Sequence, residues 1–327
     1  MTASVVLAAY NGEPFIKEQL LSILQGTRPP DEIIVVDDAS TDGTVHVVEE
    51  VASRFSQYRW LLIRNATNMG VTSSFLKGCE HVRCDIVFFS DQDDRWYPEK
   101  VERLADVLQD DPGVTMVYSD GLITGPDLEP TGRTIFSTRS KAHLALGMER
   151  PMMEVASNPD IKGCTMAVRT DLLLRIRGLE QPGAIGRYWG HDHWIALMAH
   201  GLGRVVALNE PLLLHRFHGG NTSAGAGFRW YSLADWRKWT KAAKWQAPDH
   251  FLQRYRSALN AVGQLGPSFR TELKEALVEM HRISDQRARL HLLPTIQRIG
   301  PAWRLHAHGV YAKHYNGALT LLRDILL

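Results

Sequence analysis

The sequence predicts an α/β fold, a mostly parallel sheet flanked by helices with a Rossmann-like nucleotide-binding half, followed by a helical C-terminal extension. Three observations carry this expectation. Strand-like and helix-like segments alternate four times between Ser4 and Asp91, the pattern of repeated βαβ units. The strand-like runs are short, apolar and rich in β-branched and aromatic residues, as strands covered on both faces are. Each run then feeds into polar residues: Asn11, then Asp37 and Asp38, then Asn68, then Asp91 and Asp93. Ligands of open α/β sheets bind beyond the carboxyl ends of the strands, so one rim of the sheet is expected to be a polar, acidic crevice.

The elements follow in order. Ser4–Ala9 is the first strand and Tyr10-Asn11-Gly12 a turn. Glu13–Gln25 has helical spacing, with Phe15, Leu20, Ile23 and Leu24 on or near one face, and Arg28-Pro29-Pro30 stops it. Glu32–Asp38 is the second strand, Ala39–Gly43 a polar turn and Thr44–Phe55 the second helix. Trp60–Ile63 is the third strand and Val71–His81 the third helix. Ile86-Val87-Phe88-Phe89 is the fourth strand. Trp96–Lys100 reads as a helix start leading into Pro98–Leu108, and Val114–Asp120 as a further strand. Gly121–Pro159, rich in Gly, Pro and Thr, is a long excursion that can cover a site. Gly163–Val168 is expected as a strand, Asp171–Ile176 as a short helix, and Gly190–Trp194 as the opening of an apolar helix through Met198. Val205–Leu208 and Leu212–Leu214 read as two strands.

The fourth strand runs into Asp91-Gln92-Asp93-Asp94. Clustered carboxylates repel one another and lose hydration, and a hard divalent cation such as Mg²⁺ or Mn²⁺ compensates them through oxygen ligands. The structural alternative is a turn in which Asp93 or Asp94 caps the next helix. No GxGxxG follows the first strand and no GxxxxGK[ST] occurs, which argues against the usual dinucleotide fingerprint and a P-loop. A net charge of +1 gives no reason to expect a nucleic-acid partner. Cys79, Cys84 and Cys164 form no CxxC pair and fit a reducing compartment. No apolar run approaches a membrane span and no basic leader opens the chain, so the expected location is the cytoplasm, up to peripheral attachment on the inner face of the membrane.

In this order the motifs resemble the family 2 glycosyltransferases. The matching pieces are Ala9-Tyr10-Asn11-Gly12, Val35–Gly43, Asn68-Met69-Gly70, Ser90–Asp94, Gly163-Cys164-Thr165, His191-Asp192-His193-Trp194 and Arg216–Asn221. Asp91–Trp96, together with the last two pieces, looks most like the rhamnosyltransferase-like branch. The resemblance implies a GT-A fold over residues 1–227. It also implies an inverting, metal-dependent sugar transfer in polysaccharide synthesis. The donor would be a nucleotide-diphosphate sugar, dTDP- or UDP-linked, with dTDP-L-rhamnose as one such donor. The acceptor would be a hydroxyl of a glycan or lipid-linked glycan, and the cofactor Mn²⁺ or Mg²⁺.

Residue by residue, it implies nucleotide binding by Ala9, Tyr10, Asn11, Asp38, Asn68, Gly70 and Asp91. Asp38 would accept from a base imide N–H, as an acceptor-only carboxylate does, and Asp91 would face the ribose. Asp93 and His218 would meet the metal. Gly163 and Cys164 would shape the sugar pocket, with Asp120, His191 and Trp194 also lining the sugar and acceptor side. Asp192 would be the base that takes the acceptor hydroxyl's proton. Each has a plainer alternative: Asp38 and Asp192 as helix caps, Cys164 as a small buried apolar residue, His215 as a packing or hydrogen-bonding residue at a strand end. His193 stands where the family often has an aromatic, which bears on acceptor identity.

Residues 228–327 fall outside the resemblance. From Phe228 onward 16 Lys/Arg stand against 7 Asp/Glu, while the first 227 residues carry 21 against 29, an asymmetry that suggests two functional regions. Trp230–Trp245 reads as an amphipathic helix with Arg237, Lys241 and Lys244 on one face and Trp236 and Trp239 largely opposite. Such a helix suits an anionic membrane surface, or packs its Trp face onto the catalytic domain; an oligomeric contact is a further role. Arg254–Leu292 and Ala302–Leu327 also look helical, with breaks expected at Gly266-Pro267 and Gly300-Pro301. Two other readings compete for the whole chain. A nucleotidyltransferase would want a basic Gly-rich loop after the first strand, and a non-catalytic carbohydrate-binding or scaffold protein would carry the carboxylates as a relic.

Overall fold

A computed structural model of the chain describes residues 1–138, 149–159, 161–218, 248–310 and 318–326. The chain forms two compact units, Met1–Arg150 with Asp160–Phe228, and Pro151–Pro159 with Arg229–Leu327.

In the first unit the expected alternation is present: β1 (Ala3–Ala9), α1 (Ile16–Leu24), β2 (Glu32–Asp37), α2 (Thr44–Arg54), β3 (Arg59–Arg64), α3 (Val71–Cys79) and β4 (Ile86–Ser90). β1 lies parallel to β2 and to β4, and β2 parallel to β3. The reason lies in the side chains. Val5, Val6, Leu7, Ile33 to Val36 and Ile86 to Phe89 are wholly buried, so both faces need a helical cover, and burying each large apolar side chain is worth about 1.5–3 kcal/mol. α1 covers one face with Ile16, Leu20 and Ile23. α3 lies close on the other, where Gly78 is required because a Cβ there would stand 2.4 Å from Val6 Cγ1.

Beyond β4 the sheet becomes mixed. The described strands run in the order β3-β2-β1-β4-β8-β6-β9-β5, with β7 (Pro130–Thr134) on β6. β8 (Met166–Arg169) is antiparallel to β4 and to β6 (Val114–Thr124), and β9 (Arg204–Arg216) runs parallel to β6. Three local expectations are corrected. The two strands read at Val205–Leu208 and Leu212–Leu214 are one strand, β9, irregular where Pro211 faces Asp120; Pro cannot donate to the ladder, so the pairing shifts instead of ending. Gly163-Cys164-Thr165 is a 3₁₀ turn ahead of β8. The helix start read at Trp96 is the two-residue strand β5 (Arg95–Trp96), paired with β9, and α4 spans Lys100–Asp110. The unit is completed by α6 (Thr170–Ile176), α7 (Pro182–Tyr188), which the sequence reading did not foresee, and α8 (His191–Leu202).

The second unit holds α5 (Met152–Ser157), α9 (Pro248–Leu265), α10 (Thr271–Leu290), α11 (Thr295–Ala307) and α12 (Ala318–Leu326). α5 comes from the excursion after β6 but packs on α10, with Tyr255 Oη donating to the Ser157 carbonyl at 3.4 Å. Gly266 (φ 62°) opens a 3₁₀ turn at the expected break. Gly300-Pro301, by contrast, does not break α11. The missing Pro N–H costs one helical hydrogen bond, while Ala302 is fully buried against Leu290 and Leu321, and that packing carries the helix through. Arg287 pairs bidentately with Asp324 at 2.6 and 2.9 Å, tying α10 to α12. Trp230–Trp245, with Arg237, Lys241 and Lys244, lies outside the described residues, as do Gly219–Asn221. Among the described residues no helix is long and apolar enough to cross a membrane.

Candidate active site

The order β3-β2-β1-β4 places a topological switch point between β1 and β4, the position where open α/β sheets hold ligands. A cleft of about 680 Å³ opens there, within the first unit. Its floor is set by the turns that end β1 and β4. The Gln92 amide brackets Tyr10, accepting from its N–H at 2.9 Å and donating to its carbonyl at 3.0 Å. Gly12 makes this possible, since a Cβ at that position would lie 2.1 Å from Gln92 Oε1. Asn11, in the left-handed region at φ 48°, turns its side chain away from the cleft and accepts from Thr41 N at 2.9 Å.

One wall is built by Asp38. Its carboxylate accepts from Asn65 Nδ2 at 2.7 Å, Met69 N at 2.8 Å and Gly70 N at 2.8 Å. It therefore holds the Asn68–Gly70 loop against the end of β2 and does not cap α2. The start of α2 is instead satisfied by Asp42, which accepts from Thr44 N at 3.0 Å, and by Glu13, which accepts from Gly43 N at 2.8 Å. A carboxylate has about four lone-pair sites, so three accepted bonds leave Asp38 one for a ligand in the cleft.

The acidic cluster lies opposite. Neither Asp93 nor Asp94 caps α4, whose N-cap is Glu99. Asp93 Oδ2 meets His218 Nε2 at 2.7 Å. Asp94 Oδ1 meets His215 Nδ1 at 2.9 Å and accepts from Arg216 N at 3.1 Å. Arg216 fixes the strand end beneath them by donating to the Asp93 carbonyl at 2.7 Å and to Glu18 at 2.5 Å. The electrostatics divide the three acids. Burial, with Asp94 and Asp93 adding to it, pushes the Asp91 carboxyl up to about 7. Burial and Asp94 raise Asp93 despite His218. Burial acts the same way on Asp94, but the His215 imidazolium and the Arg216 amide outweigh it and hold Asp94 below the carboxylate range. Below the cluster, burial draws the Lys100 ammonium down to about 8. It stands 3.9 Å over the Trp96 ring and donates to the Cys164 carbonyl, a fixed counter-charge that sequence reading placed in a helix start.

Among the described residues one group has the geometry of a cation site. Asp94, Cys164 and His215 are all buried, with ligand atoms within 4.8 Å of one another, and form a candidate metal-coordinating site. Among the described residues Asp94 Oδ2 and His215 Nε2 have no hydrogen-bond partner. Burial and the neighbouring acids keep the Cys164 thiol protonated, its pKa raised well above the usual thiol value, so a metal there must displace protons; an S, N and O set suits a softer ion than Mg²⁺. Asp91, Asp93 and His218 face the open cleft, and the two carboxylates offer the hard oxygen donors that Mn²⁺ or Mg²⁺ takes.

Across the cleft, α8 begins at Gly190, whose φ of 78° suits only glycine. Asp192 lies in the first turn of this helix and accepts from His193 N at 2.8 Å; the N-cap position itself is Gly190. Burial raises Asp192, but His193, His191, the His193 amide and Lys162 more than cancel it, so the carboxylate is ionised at neutral pH. His191 stacks on Phe75 at 4.1 Å, its Nε2 is unpartnered, and burial keeps it neutral. A Cβ on Gly163 would lie 2.7 Å from that nitrogen.

The cleft thus brings together Ala9, Tyr10, Asp38, Asn68, Gly70, Asp91, Asp93, Gly163, His191, Asp192 and His218. Four expected residues are not among its lining. Asn11 is turned to Thr41. Cys164 is buried behind Gly163. Trp194 is buried against Trp189, with ring centroids 6.1 Å apart. Asp120 accepts from Phe136 N at 2.8 Å. Lys162, Thr72 and Trp189 line the cleft without having been singled out. Only Lys162 left a trace in the sequence, as a cation directly before Gly163 in a chain half that is otherwise acidic.

The raised Asp91 makes a prediction about the ion-free protein. A carboxyl whose folded pKa lies above its unfolded value contributes stability fully below about pH 4 and loses it as pH rises through about 7. The melting temperature of chelator-treated protein should fall from pH 5 to pH 8, and Asp91→Asn should flatten that slope by at least about 2–4 °C, the equivalent of ~1 kcal/mol. Parallel slopes in the two proteins would place the repulsion elsewhere.

Comparison with known proteins adds findings of three kinds, from a family model, from relatives and from solved structures. Residues 4–156 match the family model described as glycosyl transferase family 2. The chain is 26% identical over 262 residues to the dTDP-rhamnosyl transferase RfbG of Shigella flexneri, covering 75% of this chain and 86% of that protein. It is 25% identical over 230 residues to an uncharacterised glycosyltransferase of Nostoc sp., covering 69% and 68%. Among solved structures, S. aureus TarS 1–349 superposes with a TM-score of 0.58 at 17% identity, over 98% of this chain and 90% of that one. The mannosyltransferase PcManGT from Pyrobaculum calidifontis, in complex with GDP-Man and Mn²⁺, gives 0.52 at 19% identity, over 98% and 78%.

Proposed function

We propose that this chain, a family 2 glycosyltransferase with the GT-A fold, transfers a sugar with inversion from a nucleotide-diphosphate donor to a hydroxyl of a glycan or lipid-linked glycan. The observation that carries the reading is one cleft with two acidic sides. Asp91 and Asp93 end one strand and an ionised Asp192 opens a helix on another element, so donor and acceptor chemistry have separate carboxylates. Asp38, with a lone-pair site left beside the Asn68–Gly70 loop, accepts from the base; Asp91 faces the ribose. Asp93 and His218 hold a divalent ion, which when bound supplies charge stabilisation for the departing diphosphate. Lys162 adds a positive charge on the same side. Asp192 orients the acceptor hydroxyl and takes its proton. Gly163 leaves the sugar room beside neutral His191. L-Rhamnose from a dTDP-linked donor is the proposed sugar, because the relative with the larger share of its length aligned is described as a dTDP-rhamnosyl transferase.

The test is incubation with a panel of dTDP-, UDP- and GDP-linked sugars, with and without Mn²⁺, reading nucleoside diphosphate release and sugar transfer. Transfer dependent on the ion, highest with dTDP-L-rhamnose, is the expected result. Pyrophosphate exchange would instead favour a nucleotidyltransferase, and turnover of no donor would favour a binding or scaffold role.

A further inference from the structure

We propose that the exposed apolar face of α11 in the second unit docks on an anionic lipid bilayer. Leu292, in the turn just before the helix, is followed on α11 by Ile296, Ile299 and Trp303, whose i, i+3 and i+7 spacing lines up along a single helical stripe. They are 85, 83, 51 and 60% exposed. Soluble surfaces carry isolated apolar residues without consequence, but a contiguous large stripe marks an interaction site. The opposite needs of the helix are already met. Ala302 is buried with Leu290 and Leu321, and Leu305 packs against the same cluster, so the stripe is a second apolar face, additional to the one that folds the unit.

Charge identifies the occupant. Between Asp285 and Asp324 the sequence holds no Asp or Glu, while Arg287, Arg289, Arg298, Arg304, Lys313 and Arg323 fall in that span. Arg304 is exposed, as is Arg289, which pairs with Asp285 at 2.8 Å, while Arg287 is buried against Asp324. Arg298 folds back on the chain end of α10, donating to the Leu293 carbonyl at 2.8 Å, which keeps its charge at the base of the stripe. An apolar stripe containing an exposed Trp, beside the exposed Arg304 and in a span with no acidic residue, is the composition of a helix lying in the headgroup layer. An anionic surface repels acidic residues, and this span carries none. With 13 residues α11 is about 20 Å long, too short for the ~30 Å hydrocarbon core, so it lies on the membrane and does not span it.

The experiment is flotation of the full-length chain with vesicles of phosphatidylcholine alone or with phosphatidylglycerol. The wild type should bind only the anionic vesicles, and 0.5 M salt should weaken binding, because exposed charges are screened over less than ~10 Å above 0.1 M salt. Ile296→Ser with Trp303→Ser should weaken it by at least about tenfold, since each inserted side chain carries an apolar burial term. Both positions are exposed, so the melting temperature should stay at the wild-type value and serve as the folding control. Equal binding by variant and wild type, or no binding by the wild type, would overturn the proposal. So would a concentration-dependent dimer that the variant abolishes, which would make the stripe a contact between two copies of the chain.

Discussion

Asp192→Asn should lower the rate of sugar transfer by about 10²–10⁴-fold, the usual contribution of general-base catalysis, while donor and Mn²⁺ affinity stay near wild type. Asn keeps the size of the side chain and can still accept from His193 N, the bond Asp192 makes at 2.8 Å. It cannot take a proton. The separation expected between rate and affinity follows from placement, since Asp192 stands on α8 while Asp91 and Asp93 follow β4. A purely structural Asp192 would behave differently: inside the first turn the neutral Asn gives up a charge–dipole contribution of about 0.3–1 kcal/mol, and the rate would stay near wild type. Its pH profile gives a second reading. Because the folded environment holds Asp192 below the carboxylate range, the titration of Asp192 should not set a limb of the transfer profile near neutral pH. A near-normal transfer rate in Asp192→Asn would show that the base lies elsewhere. Asp120, the next carboxylate by sequence, accepts from Phe136 N and does not line the cleft.

Asp93→Asn should weaken the Mn²⁺-dependent affinity for nucleoside diphosphate by at least about 100-fold, more than the 10–100-fold typical of losing an outer-shell partner, with the fold intact. Calorimetry of nucleoside diphosphate with and without the ion reads it. Cys164→Ser is the paired variant. It alters the buried Asp94, Cys164 and His215 group at a residue that does not itself line the cleft. If the cleft carboxylates meet the ion, Cys164→Ser should leave Mn²⁺ dependence within about fivefold of wild type, since 1 kcal/mol corresponds to a factor of about 5. If the reverse pattern appears, with Cys164→Ser losing the ion and Asp93→Asn retaining it, the metal belongs to the buried triad and Asp93 serves only to orient His218.

Much of the site was legible in the residues because its chemistry is local. Carboxylates directly after an apolar strand must stand at its C-terminal edge, and for Asp38, Asp91 and Asp93 the strand alone fixes that address. Asp192 and His191 were legible in the same way, as the opening of an apolar helix after a glycine. What misled was any residue whose partner lies far along the chain. Cys164 and Trp194 sit within recognisable motifs, yet one is turned behind Gly163 and the other into the core beside Trp189. A motif fixes the backbone neighbourhood, and side chains on alternate sides of a turn or helix then point in opposite directions.

By itself the sequence determined the alternation of strands and helices, the acidic rim, and the basic bias of the last hundred residues, because hydrophobic period and net charge are sums over neighbours in the chain. Only the tertiary structure decided which acid is strained and which is satisfied. Asp91, Asp93 and Asp94 are nearly identical as text, but Asp94 gained His215 and Arg216 from 121 and 122 residues away, and Asp91 gained mainly burial and like charge. It also decided that Lys100 is buried beneath them, that Gly300-Pro301 stays helical, and that α5 belongs to the second unit. Each of these is settled by a contact between distant segments, whose energy has no counterpart in local propensity.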